Sequence, residues 1–156
     1  MNKLELFLMF LTLIACNTIY SQWETNEYVD EFGDKTGKTY ESLVASGTFS
    51  NSETEKSKAD YAFIKNDNSL IIKVYEYSTN LTKLTDITYE TVKIKQPDNE
   101  VVTIEDVFFT KKGELYFTDD KFTKISSALT KTGKYTIIFD KSGRHFSSSY
   151  KIELKL

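Results

Sequence analysis

Cysteine is almost missing from this chain: Cys16 is the only one, and it lies in an apolar N-terminal run. Beyond that run there is no thiol for a disulfide, a nucleophile or a metal ligand, so packing must hold the fold. Proline is as scarce, with Pro97 alone, and the six glycines fall one at a time along 156 residues. Collagen-like, proline-rich and glycine-rich linker architectures are thereby excluded. The single histidine, His145, sits beside Arg144 and near Ser147, Ser148 and Ser149. A Ser–His site also needs an orienting acid and an oxyanion hole, and no motif supplies either, so His145 reads as an exposed loop residue. The formal net charge is only −3. The chain thus lacks the basic face of a nucleic-acid binder and the polybasic patch of a membrane-surface protein. It also lacks phosphate-binding loops and internal repeats.

The first distinctive feature present is the leader, MNKLELFLMFLTLIACNTIYSQ. Lys3 and the amino terminus carry positive charge, and Leu6 to Ala15 is apolar apart from Thr12. The run has the length of a signal-peptide core and is too short to span a bilayer as a helix. A buried N-terminal core helix is the competing reading, disfavoured because the run starts at once and is apolar all round. Two cuts are open. One follows Ser21 and leaves Gln22 first, which leader anatomy favours. The other precedes Cys16, because Leu13-Ile14-Ala15-Cys16 resembles a bacterial lipobox and implies a lipid on the sulfur. The expectation is a signal peptide over residues 1–21 and one exported domain over 22–156, periplasmic, extracellular or anchored as a lipoprotein.

Ten tyrosines and eleven phenylalanines, with abundant Thr, Val and Ile, point to β structure. Trp23 to Val29 reads as a first strand, and residues 30–38 as a polar loop with two glycines. Thr39 to Val44 and Ser46 to Ser50 read as extended around Gly47. Tyr61 to Lys65 and Ser69 to Tyr77 flank an Asn-Asp-Asn turn. Ile87 to Lys95 and Val101 to Phe109 flank a turn built on Pro97 and Asp98. Glu114 to Phe117 is short. Asp119 to Lys131 is the one helix, with Phe122, Ile125 and Leu129 at helical spacing and Gly133 after its end. Lys134 to Asp140 and Ser149 to Leu156 complete the set, the last alternating Tyr150, Ile152, Leu154 and Leu156 against Lys151, Glu153 and Lys155. Regular strands with turn signals predict a mostly β fold: an antiparallel two-sheet β-sandwich with one late helix, or alternatively a barrel-like sheet.

Candidate sites cluster near the N-terminus. Trp23, Tyr28, Phe32 and Tyr40 are the aromatic side chains best placed for a binding platform. Asp30 and Asp34 are candidate Ca²⁺ ligands, although an EF-hand counted from Asp30 puts Phe32 and Lys35 where a ligand and a glycine are required. Cys16 is the lipidation candidate. No cofactor is expected.

Trp23, Val29-Asp30-Glu31-Phe32-Gly33-Asp34, Thr36-Gly37, Tyr40 and Gly47-Thr48-Phe49-Ser50-Asn51-Ser52 resemble the opening of small uncharacterised exported or cell-associated bacterial proteins. The resemblance implies a recurrent N-terminal module and carries no function and no catalytic residues. The functional expectation is a non-enzymatic envelope or secreted module that binds protein or glycan. The alternative is a barrel-like carrier of a small apolar ligand. An enzyme built on neighbouring carboxylates, Glu105/Asp106 or Asp119/Asp120, ranks third, because adjacency in sequence does not make a cleft.

Overall fold

Alternating side chains and short turns set the strand boundaries. Asn66 Oδ1 accepts from the backbone N–H groups of Asn68 and Ser69 at 2.9 and 2.8 Å and so closes one turn. At another, Asn99 takes a positive φ of 70° and donates its N–H to Gln96 O. The structure, a computed structural model, describes residues 22–77, 80–81, 87–142 and 147–156. The leader with Cys16, and also His145, lie outside the described residues.

Among the described residues, ten strands and one helix follow in order: β1 (Glu24–Val29), β2 (Lys35–Ser50), β3 (Ser57–Lys65), β4 (Ser69–Glu76), β5 (Asn80–Leu81), β6 (Thr88–Lys95), β7 (Val101–Phe109), β8 (Glu114–Thr118), α1 (Asp119–Ala128), β9 (Lys134–Ser142) and β10 (Ser147–Lys155). All pairings are antiparallel. Eight strands close a ring in the order β2-β10-β9-β6-β7-β8-β4-β3, with β3 pairing back to β2. β1 and β5 add to the outside of β2 and β4.

The two-sheet sandwich is therefore corrected to a closed barrel. At the junction of β3, β2 and β10 stands Gly47, which pairs with Ala59 of β3 on one side and Ile152 of β10 on the other. A Cβ there would stand 2.0 Å from the Lys151 carbonyl oxygen. Only a residue without a side chain lets the two backbones approach so closely at this point of the ring. The two segments expected on either side of Gly47 are one strand of 16 residues.

Residues facing inward are apolar and those facing outward are largely charged or hydroxylated. On β10, Tyr150, Ile152 and Leu154 are buried while Ser149, Lys151 and Glu153 are exposed. A membrane-spanning barrel has the reverse arrangement, with an apolar outer band. No described helix is long and apolar enough to cross a membrane. The lumen is filled by rings: Phe139 stacks on Tyr150 at 4.7 Å, and Phe109 meets both edge-on at 5.8 and 6.3 Å. Eight strands enclose a space that side chains can fill, and here they fill it.

Helix α1 joins β8 to β9 and packs Ile125, Ala128 and Leu129 into the core. It ends at Ala128, three residues before the expected Lys131, with Leu129 N–H still donating to Ile125 O at 3.1 Å. The chain then turns at Gly133, whose φ of +139° and close approach to Pro97 leave no room for a side chain. Lys131 reaches back to Asp98 at 2.6 Å, tying the helix end to the β6–β7 turn.

Candidate functional site

The barrel wall parts between β6 and β9. β6 and β9 are paired only from Val92 to Lys95 against Phe139 to Thr136. Beyond Val92, β6 still pairs with β7 through Thr88, and β9 still pairs with β10 through Ser142, so the two strands part company along one seam. A bulge sits on the flank of this split. Glu90 pairs with Val107 but Val92 pairs with Ile104, so β7 carries one extra residue there. Asp106 takes a φ of 55° at that point, and Glu105 and Asp106 both point outward and are exposed. Bulges bend strands and re-aim side chains beside functional sites. The two carboxylates mark the bend.

The split holds a cleft of about 750 Å³ whose walls include Thr88, Tyr89, Glu90, Ile138 and Asp140. Tyr89 is 67% exposed and offers a ring face to solvent. Its ring begins a cross-strand aromatic row, 5.8 Å from Phe108, which is 6.3 Å from Tyr116. Ile138 adds an exposed aliphatic surface on the opposite wall. A second depression of similar volume lies over β3, β2 and β10, but its polar groups are largely engaged with each other: Ser46 with Asp60 at 3.2 Å and Lys151 with Glu153 at 2.9 Å.

Beneath the split lies a layer of ionisable groups in an otherwise apolar lumen. Glu90 is 7% exposed and Lys141 is 2% exposed. Burial pushes the Glu90 carboxyl above its ordinary value; the Thr88 hydroxyl, which donates to it at 2.5 Å, and the Lys141 charge pull the other way, and Asp140 raises it. Lys141 pairs with Ser148 across the β9–β10 ladder. On the far side Tyr150 donates to Glu76 Oε1 at 2.8 Å, and Tyr61 donates to Thr48 O at 3.0 Å. Burial first, and then the Glu76 charge, push both phenols far above the ordinary 10.0.

This raises a testable consequence. An unfolded tyrosine ionises near pH 10, whereas Tyr61 and Tyr150 stay protonated well above it in the folded chain. Their contribution to stability is complete below pH 10 and is lost as the pH rises above it, by about 1.4 kcal/mol per pH unit for each. Urea unfolding between pH 9 and 11 is expected to show this decline, and Tyr150→Phe to reduce its slope. An unchanged slope would remove Tyr150 from the account.

The residues singled out near the N-terminus are elsewhere. Trp23 is half-buried, edge-on to Phe63 at 6.4 Å with the Lys65 ammonium 5.6 Å from its ring, so it packs rather than presents a platform. Tyr28 and Tyr40 lie 4.7 Å apart across β1 and β2. Phe32 stands alone at the turn, 83% exposed. Asp30 Oδ1 accepts the backbone N–H groups of Phe32 and Asp34, both at 2.9 Å, and so shapes the turn. Among the described residues no cluster of three or more metal-ligating side chains occurs. Sequence reasoning missed Glu90, Lys141 and Tyr89. The available signal was parity: Glu90 shares a face with Val92 and Ile94, and Lys141 with Ile137 and Phe139, so both charges fall on the inward side of their strands.

Compared with protein-family models, with curated proteins and with solved structures, the chain matches none.

Proposed function

We propose that this protein is a binding barrel that carries a small amphipathic ligand in the split between β6 and β9. The observation that carries the reading is the cleft of about 750 Å³ at the β6–β9 seam, where the two strands part beside buried Glu90 and Lys141. Its size lies within the range of small-molecule sites, which join apolar walls to a few placed polar groups. Tyr89 and Ile138 supply the apolar walls; Glu90, Asp140 and Thr88 supply acceptors and a hydroxyl. The closed barrel favours a carrier over an envelope interaction module, and the filled lumen moves the ligand from the barrel axis to the seam. On leader anatomy we place the carrier outside the cytoplasm, with Cys16 as the alternative anchor.

The test is thermal-shift and calorimetric screening with medium-chain fatty acids, aromatic amines and disaccharides, followed by Tyr89→Ala and Asp140→Asn. Both side chains are exposed, and an asparagine at 140 keeps an acceptor for the Ser149 hydroxyl that now donates to Asp140 at 2.6 Å, so both variants are expected to keep nearly the wild-type melting temperature. Tyr89→Ala is expected to weaken binding about tenfold, corresponding to about 1.4 kcal/mol of lost ring contact. Full affinity in both variants would place the ligand elsewhere.

A further inference from the structure

The N-terminal part of β2 runs past its neighbour β3. The two pair only from Glu41 onward, so residues 35–40 have β1 as their one strand partner among the described residues. A two-stranded ribbon is marginal in water. From Gln22 onward the chain has no cysteine, so no disulfide can hold this one. Its strands do bring two phenols side by side. Tyr40 is the ladder partner of Asn26, two residues before Tyr28, so Tyr28 and Tyr40 are diagonal neighbours. Their ring centroids lie 4.7 Å apart with the planes inclined at 47°. Tyr28 is 40% exposed and Tyr40 is half-buried, so solvent reaches the pair.

Other tyrosines are placed differently. Tyr77 meets Phe49, and Tyr89 and Tyr116 both meet Phe108, so a phenylalanine is the ring neighbour in each case. Tyr61, Tyr135 and Tyr150 are buried and donate their hydroxyls to Thr48 O, Lys131 O and Glu76 Oε1. Among the described residues neither the Tyr28 nor the Tyr40 hydroxyl has a hydrogen-bond partner, so each is free to pass its proton to water. We propose that Tyr28 and Tyr40 are an oxidative modification site, at which a haem peroxidase with hydrogen peroxide joins the two rings as a dityrosine that staples β1 to β2. Each phenol gives up one electron and its hydroxyl proton and becomes a phenoxyl radical. The radicals couple through the ring carbons next to their oxygens. Each coupled carbon then hands its hydrogen to the adjacent oxygen, which restores both aromatic rings and both hydroxyls. The pair loses two electrons and two protons, and one hydrogen peroxide takes them up as two waters. Each of these carbons lies one ring radius from its centroid, so side-chain rotation brings them together while the strands stay in place.

The test treats the full chain, at high dilution, with haem peroxidase and hydrogen peroxide. The expected product is a monomer with blue dityrosine emission and a mass lower by two hydrogen atoms. Tryptic digestion of the denatured product is expected to yield, joined together, the peptides that end at Lys35 and Lys56 and hold Tyr28 and Tyr40. In the folded crosslinked chain, trypsin is expected to cut after Lys35 and Lys38 about tenfold more slowly than in the untreated chain, because cutting there requires the ribbon to open. Tyr28→Phe and Tyr40→Phe each keep the ring, and are expected to keep the melting temperature while abolishing the monomeric product. A wild-type monomer without the two-hydrogen loss, a crosslink that maps to other tyrosines, or a monomeric product that survives Tyr28→Phe overturns the proposal. A crosslinked chain cut as fast as the untreated one overturns the staple.

Discussion

Gly47→Val is expected to abolish the fold. The added Cβ would stand 2.0 Å from the Lys151 carbonyl oxygen and 3.0 Å from the Ile152 Cα, both backbone atoms of β10. Overpacking against a mobile side chain costs about 1–3 kcal/mol. Here no side chain can rotate away; either β2 or β10 must move, and both are held by ladders on their other edges. The cost is at least about 4 kcal/mol, most of the net stability of a marginal domain. Denaturant unfolding of soluble Gly47→Val, or its recovery only in inclusion bodies, is the measurement. Gly47→Ala makes the sharper test, because it adds one methyl and nothing else. If Gly47→Ala melts within about 1 kcal/mol of wild type, the close approach imposes no such cost.

Lys141→Met is expected to be the next most damaging change, because it removes a buried ammonium whose charge, with the Thr88 hydroxyl, holds the Glu90 carboxyl down. Removing the ammonium leaves Glu90 buried without the positive charge that now counters its desolvation. Its carboxyl, already above the ordinary 4.5, rises further. A raised carboxyl means that the folded chain holds its proton more tightly than the unfolded one. The stability that goes with that proton is complete at low pH and is lost as pH rises through the folded value. The Lys141→Met deficit is therefore expected to shrink on acidification toward pH 4.5 and to widen at neutral pH. Adding Glu90→Leu should recover at least about 1 kcal/mol at pH 7, since replacing both partners by apolar groups removes the unpaired charge. Strict additivity in this cycle would show that the two groups do not interact.

Strand identity is largely legible in the sequence. The Val101–Phe109 strand, the Asn-Asp-Asn turn and the alternation from Tyr150 to Leu154 are as expected, because period and turn chemistry act locally. Closure was not legible. An inward-outward alternation reads the same in a sandwich as in a barrel, and the difference lies in which distant strands meet. Gly47 stands between two segments that read as extended, but its meaning depends on Lys151, far away in sequence. The candidate site failed to appear for a related reason. Glu90 and Lys141 are ordinary charges on alternating strands until register sets them on one side of an opening seam. The aromatic residues near the N-terminus stand out by composition, yet Trp23 is anchored on Phe63, and Phe32 and Tyr28 are presented to solvent.

The pairing of β2 with β10 also governs the order in which this molecule can assemble. Ser50 lies beside Ser149, a separation of about a hundred residues, so the ring closes by one of its longest-range contacts. Loops of that length close slowly, and the meander of β2, β3 and β4 must wait with one edge unsatisfied until β10 arrives. A chain halted before Ser147 leaves β2 and β9 with bare edges facing solvent, templates for pairing with other chains. The nine residues of β10 thus act as the closing staves of the barrel, and a ribosome that has not yet delivered them holds an aggregation-prone open sheet.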